Sequence, residues 1–100
     1  MGGAVAVETL VTLKIGTGWI GVTVVSEAEV VLSFKGYAPV LKVEVIQSGL
    51  IKQLFIGSKS LATSLEGMRQ KNGGRFIGLK FRLKKESDEK MSPYVLEALN

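Results

Sequence analysis

The chain has 100 residues and a net charge of +4, from 13 lysines and arginines against 9 aspartates and glutamates. It contains neither cysteine nor histidine, which excludes disulfides and most zinc, haem, iron–sulfur and nucleophile–base chemistry. This length predicts one domain, residues 1–100, with a single modest hydrophobic core.

The first half of the chain predicts five β-strands joined by short turns. Residues 5–15 alternate apolar and polar side chains, as a strand with one buried face does. The glycines at 16 and 18 then indicate a tight hairpin or a bulged bend. Further strands are predicted over residues 19–25, 30–35, 40–47 and 50–56. The Gly-Tyr-Ala-Pro sequence at 36–39 predicts a turn, because proline is excluded from central strands.

The second half predicts a helix followed by β-structure. Leu61, Leu65 and Met68 fall at the i, i+4 and i+7 positions of one helical face. A serine at 58 or 60 can cap the start of this helix, and Asn-Gly-Gly at 72–74 can end it. Residues 75–85 alternate again as a strand. The last element, residues 94–99, is predicted as a strand, although a helix starting at the preceding proline fits almost as well.

This order predicts a mainly β fold of the α+β class, with one helix before the penultimate strand. Short connections favour antiparallel neighbours, so the expected architecture is an antiparallel twisted sheet or a small barrel. The oligonucleotide-binding (OB) barrel belongs to this class, but it has three strands before its helix where this chain predicts five.

Positive charge is concentrated in one segment. Residues 59–85 carry eight lysines and arginines against a single acid, Glu66. Such a block on an otherwise nearly neutral domain is typical of proteins that bind phosphates.

The predicted strand 75–85 separates its side chains into two faces. One face is predicted to lie in the core, and its members are Ile77, Leu79, Phe81 and Leu83. The other carries Phe76, Gly78, Lys80, Arg82 and Lys84. Its three cations are spaced by about 7 Å, close to the spacing of phosphates on an extended nucleic acid strand, and Phe76 could stack a base. The alternative is a solvated face whose lysines protect a sheet edge from aggregation.

Other candidate residues lie outside this strand. Arg69, Lys71 and Arg75 surround the 72–74 turn, where they either stabilise the helix C-terminus or clamp a phosphate backbone. Trp19 and Tyr37 lie at predicted strand ends or turns and are candidate stacking residues. Phe34 and Phe55 are predicted to lie in the core.

The sequence predicts no enzymatic activity and no cofactor or metal. Its glycine-rich stretches match neither a P-loop nor a dinucleotide-binding fingerprint. Asp88 is its only aspartate, and no spacing of glutamates presents a carboxylate pair to one substrate.

Three stretches near the C-terminus carry a resemblance to a known family. They are Ser-Lys-Ser-Leu-Ala-Thr-Ser-Leu-Glu at 58–66, Gly-Leu-Lys-Phe-Arg-Leu-Lys-Lys at 78–85, and Tyr-Val at 94–95. Together they resemble the tail of small single-stranded DNA-binding proteins of archaea and phages. The resemblance covers about forty residues and implies that Lys80, Arg82 and Lys84 contact the nucleic acid backbone.

No apolar run approaches the roughly 18 residues that span a bilayer, and the N-terminus lacks the basic start of a signal peptide. We therefore expect a soluble cytoplasmic protein with no membrane partner. An apolar share of 46% is high for so small a domain and indicates either a well-filled barrel or an interface with a second copy. We therefore expect a homo-oligomer, a dimer or larger.

Taken together, the sequence predicts a non-enzymatic protein that binds single-stranded DNA or RNA with little sequence preference. The predicted contact residues are Lys80, Arg82, Lys84, Phe76, Arg75, Lys71, Arg69, Trp19 and Tyr37. Two alternatives remain: a structural protein that assembles through β-sheet surfaces, and a basic adaptor that binds an acidic protein.

Overall fold

The computed structural model describes residues 11–33 and 36–99, which form six strands and one helix. The strands are β1 (Ile20–Val24), β2 (Glu29–Ser33), β3 (Gly36–Val45), β4 (Ile51–Phe55), β5 (Lys80–Lys85) and β6 (Tyr94–Ala98). The helix, α1 (Lys59–Lys71), lies between β4 and β5.

All six strands belong to one antiparallel sheet organised around β3. Along β3, residues 36–40 pair with β2, residues 40–44 with β4, and residues 43–45 with β1. The other edge of β1 pairs with β5, which in turn pairs with β6. Over the described ranges the sheet stays open and does not close into a barrel. The predicted α+β class is confirmed, with one helix before the penultimate strand. Of the two predicted architectures, the antiparallel sheet is the one that the structure has, and not the barrel.

One face of the sheet and one stripe of α1 form the core. Phe81 and Leu83 of β5 are fully buried, and Leu61 and Leu65 are 1% exposed. The other members of this cluster are Leu13, Val22, Val24, Leu41, Val43, Leu54 and Leu79. The predicted helical stripe is confirmed, since Met68 also packs against this cluster.

Both ends of α1 are capped by the residue types that the sequence indicated. Ser58 is the N-cap, and its hydroxyl oxygen accepts a hydrogen bond of 3.1 Å from the backbone N–H of Leu61. Asn72 is the C-cap. Gly73 and Gly74 follow with φ values of 69° and 80°, a left-handed conformation that glycine adopts without steric cost.

The strand predicted over residues 5–15 is not formed in the part of it that the structure describes, residues 11–15. Residues 5–10 lie outside the described ranges, and residues 11–15 contribute one isolated parallel bridge, between Thr12 and Gln53 of β4. No hairpin therefore forms at 16–18 with the described part of this segment. The reason is that both edges of β1 are already paired, with β3 and β5.

The predicted turn at 36–39 is wrong, because these residues begin β3. The carbonyl oxygen of Pro39 accepts a hydrogen bond from the N–H of Ile56, on the side away from β2. The N and C=O of one residue point to the same side of a strand, so the β2–β3 ladder requires no donor from Pro39. The core position predicted for Phe34 lies outside the described residues. Phe55 is half-buried.

The strand predicted at 94–99 is confirmed as β6, which forms a hairpin with β5. Within residues 11–33 and 36–99, no helix is long and apolar enough to cross a membrane.

Candidate nucleic-acid interface

The outward face of β5 carries three cations. Lys80, Arg82 and Lys84 alternate with Phe81 and Leu83, whose side chains are fully buried on the opposite face. Strand geometry places successive outward side chains about 7 Å apart. The predicted basic face is therefore present over the length of β5.

Trp19 belongs to this basic face. It precedes β1, where the pairing of Ile20 with Leu83 brings it next to Lys84. The Arg82 guanidinium carbon lies 4.2 Å from the centre of the indole ring, and the Lys84 ammonium nitrogen lies 4.7 Å from it. These are cation–π contacts, so two cations cover the indole. A base that stacks on this side of the indole has to displace them.

Arg82 is also held by an acid on the neighbouring strand. Glu97 of β6 is its direct cross-strand partner, and the Arg82 Nε donates to Glu97 Oε1 over 2.9 Å. The charge of Arg82 is therefore largely compensated. The sequence analysis missed Glu97, because the partner of Arg82 depends on the register of the β5–β6 hairpin.

The predicted strand 75–85 begins only at Lys80, which removes Phe76 from the basic face. Residues 75–79 form a loop in which Gly78 has a φ of 94°. The ring of Phe76 packs against the core and lies 5.8 Å from the Arg69 guanidinium carbon. Ile77, predicted to be buried, is 50% exposed, whereas Leu79 is buried as predicted.

A distant carboxylate organises this loop. Glu27, from the β1–β2 connection, accepts hydrogen bonds from the N–H groups of Phe76 and Ile77 at 3.0–3.1 Å. Arg75 is exposed and adds electrostatic attraction to Glu27. The backbone bonds to Ile77 and Phe76 lower the pKa of Glu27 below its usual value. No sequence signal connects Glu27 with a loop about fifty positions later.

Glu27 makes the stability of the protein depend on pH. A carboxyl whose pKa is lowered by folding stabilises the native state above its unfolded pKa of about 4.3 and loses this effect as pH falls through the folded pKa. We expect Glu27→Gln to lower the free energy of unfolding at neutral pH and to lose this difference from the wild type in acid. Urea unfolding of both proteins at several pH values measures the difference. A difference that is the same at pH 7 and pH 3 would contradict the role of Glu27.

Arg69 holds the end of α1 together. Its Nε and Nη2 donate to the Glu66 carboxylate over 2.8 and 2.6 Å, and its Nη1 donates to the Gly74 carbonyl oxygen over 2.8 Å. The bond to Glu66 raises the pKa of Arg69. Of the two interpretations of Arg69, these contacts favour the structural one.

Lys71 and Lys80 lie on the same groove, although they come from different elements. The groove has a volume of about 190 Å³, and its lining consists of Met68, Lys71, Asn72, Leu79, Lys80 and Ala98. Both lysines are exposed, and neither has an acidic partner among residues 11–33 and 36–99. Lys80 also belongs to the outward row of β5. Lys80 therefore links the groove to the row of cations on β5.

Tyr37 lies elsewhere on the sheet. It is 78% exposed on β3, where it pairs with Leu32 of β2 rather than with the basic strand. A larger cavity, of about 480 Å³, lies between residues 11–14 and β1, β3 and β4, and contains Lys14 and Lys52. Its lining includes none of the predicted site residues, so we place the candidate site at the groove and the β5 face.

Metal binding finds no support in the described ranges, which contain no cluster of three or more acidic, histidine or cysteine side chains. Comparisons of the chain with protein family models, curated proteins and solved structures found no match. The resemblance to single-stranded DNA-binding proteins accordingly stays a prediction from the sequence.

Proposed function

We propose that the protein binds single-stranded nucleic acid, DNA or RNA, through a basic surface formed by Lys71, Lys80, Arg82 and Lys84 with Trp19. The observation that carries this proposal is the shared groove of Lys71 and Lys80. Two exposed lysines without acidic partners in the described chain converge there, at one end of a row of cations. A cation without an acidic partner is available to a phosphate, and both of these lysines are in that state within the described chain.

The shape of this surface favours a single strand. The β5 face is open, and the groove beside it has an apolar floor of Met68, Leu79 and Ala98. An extended nucleic acid strand can follow such a path with its phosphates on the lysines and a base over the groove. Arg82 is held by Glu97 and Trp19, so it shapes the surface more than it contributes free charge.

The chemistry of the surface favours binding with little sequence preference. Reading bases requires side chains that present paired donors and acceptors to base edges. Asn72 is the one carboxamide in the groove lining, and its side-chain amide already donates to the carbonyl oxygens of Arg75 and Ile77. The cations of the groove are the ammonium groups of Lys71 and Lys80, which recognise phosphate as a point charge.

A fluorescence titration tests the proposal, because Trp19 is the only tryptophan of the chain and lies within the basic surface. We expect single-stranded DNA or RNA to change the fluorescence of Trp19 at low salt, and double-stranded DNA to bind more weakly. The logarithm of the binding constant should fall with the logarithm of the salt concentration by about 0.7 per phosphate contact. The proposal fails if neither the fluorescence nor the gel mobility responds at low salt, or if the affinity is insensitive to salt.

A further inference from the structure

One part of the sheet projects beyond the core and exposes apolar side chains. It consists of β2 and residues 36–39 of β3, and we call it the arm. The last pair between β3 and β4 joins Val40 to Phe55, so the described residues 36–39 have only β2 as a paired strand. An isolated two-stranded hairpin is marginally stable in water, and it gains stability when a further strand pairs with it.

The exposed side chains of the arm share one face. Val30 pairs with Pro39 and Leu32 pairs with Tyr37, and cross-strand partners lie on the same side of a sheet. Val30, Leu32 and Tyr37 are 68%, 71% and 78% exposed. A contiguous apolar patch of this kind on a small protein is typical of an interaction site.

The outer edge of β2 has backbone groups available for pairing. Among the described residues β2 pairs with β3 alone. Because the Pro39 carbonyl points away from β2, towards Ile56, Val30 and Pro39 form a non-hydrogen-bonded pair. The alternation of a strand then directs the N–H and C=O groups of both Val30 and Leu32 outward.

We infer that two copies of this chain pair antiparallel through their β2 edges, around a two-fold axis at Val31. In this register Val30 of one copy lies opposite Leu32 of the other, and each pair exchanges two backbone hydrogen bonds. Val30 and Leu32 are the residues whose backbone groups face outward. Among the registers centred within β2, this one lets both of them bond to the same two residues of the other copy. It also joins the two apolar faces into one continuous four-stranded surface.

The charge of the arm favours a second copy as the occupant. Among the described residues of the arm only Glu29 is charged, and its carboxylate lies 3.8 Å from the ammonium group of Lys42 in the same copy, so two arms meet with little repulsion. The basic surface around β5 is a poor interface between copies, because its cations would repel those of a second copy. Nucleic acid is a poor partner for the arm, because the described part of the arm offers no cation to a phosphate. The three exposed side chains, Val30, Leu32 and Tyr37, together offer on the order of a few hundred Å² of surface. A standard interface needs about 800 Å² per partner, so the strand edge has to contribute as well as the side chains.

A disulfide placed on the axis tests the register. The chain has no cysteine of its own. Val31→Cys should form a disulfide-linked dimer under mild oxidation, because a non-hydrogen-bonded antiparallel pair brings Cα atoms to about 4.5 Å, within the range of a disulfide. Val30→Cys is the matched control. Its equivalent in the second copy is displaced by two residues along the strand, beyond the roughly 7 Å limit for a disulfide.

A second experiment introduces a charged side chain on the arm and measures the oligomeric state, so it needs no cross-link. Sedimentation velocity of the wild type should show a dimer that dissociates on dilution. Leu32→Lys should give a monomer at the same concentrations, whereas Met91→Lys, at a position 91% exposed, should leave the dimer intact. Circular dichroism confirms that both variants are folded. The inference is overturned if the wild type is monomeric throughout, if Leu32→Lys still dimerises, or if Val30→Cys cross-links as readily as Val31→Cys. None of these results depends on nucleic acid binding.

Discussion

Phe81→Ala should lower the free energy of unfolding by about 3–5 kcal/mol, the usual loss for truncating a fully buried phenylalanine. Phe81 has no exposed surface and is the second residue of β5, where it pairs with Val22 of β1 and Ala98 of β6. Its ring belongs to the same buried cluster as Val22 of β1 and Leu61 and Leu65 of α1. Truncation to alanine leaves a cavity there that the neighbouring side chains fill only in part. A domain of this size has a total stability of about 5–15 kcal/mol, so this one substitution can remove a large part of it.

Urea unfolding followed by circular dichroism measures this loss. Phe76→Ala provides the matched control, since it removes the same side chain from a half-buried position in the 75–79 loop. We expect Phe76→Ala to cost clearly less, because its ring already meets water on one side. Equal losses for the two variants would contradict the position assigned to β5 in the core.

The features that the sequence predicted well depend on local periodicity. Leu79, Phe81 and Leu83 are buried as their alternation with lysine and arginine predicted, because an alternating strand can bury only one of its faces. The helix was predictable for the same reason. Its apolar stripe and its capping residues lie within one short segment, where 3.6-residue periodicity fixes which side chains face the sheet.

The features that were missed depend on contacts between distant segments. The turn predicted at 36–39 assumed that proline breaks a strand, but Pro39 directs its nitrogen away from β2, so the β2–β3 ladder can include it. The loop at 75–79 continues the alternation of β5 in sequence, yet it leaves the strand after Gly78 and Leu79, which still hydrogen-bond to Val24 of β1. Beyond that point Glu27 binds the backbone N–H groups of Phe76 and Ile77. Neither arrangement has a signature within its own segment.

For the candidate site, the sequence located the cations but not their partners. The alternation of β5 placed Lys80, Arg82 and Lys84 on one face correctly. It could not separate Arg82, which Glu97 neutralises, from Lys80, which has no acidic partner among the described residues. It also gave no sign that Lys71 and Lys80 share a groove, since that depends on how α1 packs beside β5 and β6.

This difference between paired and unpaired cations defines the sharpest test of the proposed function. The double variant Lys71→Ala/Lys80→Ala removes both lysines of the groove and leaves Arg82, Glu97 and Trp19 in place. For single strands, each lost phosphate contact should weaken binding by about tenfold at 50 mM salt and reduce the salt slope by about 0.7. We therefore expect a loss of about 10- to 100-fold in affinity and a salt slope smaller by about 1.4.

The matched control is Lys59→Ala/Lys90→Ala, which removes the same charge from two other exposed positions. Lys59 lies at the opposite end of α1 from Lys71, and Lys90 lies in the connection between β5 and β6. Titrations of Trp19 fluorescence with single-stranded DNA at several salt concentrations compare the two variants. Non-specific attraction to a cationic protein predicts equal losses in both, because their net charges are equal. A site at the groove predicts a large loss in the first variant and a small one in the second, so equal losses would remove Lys71 and Lys80 from the interface.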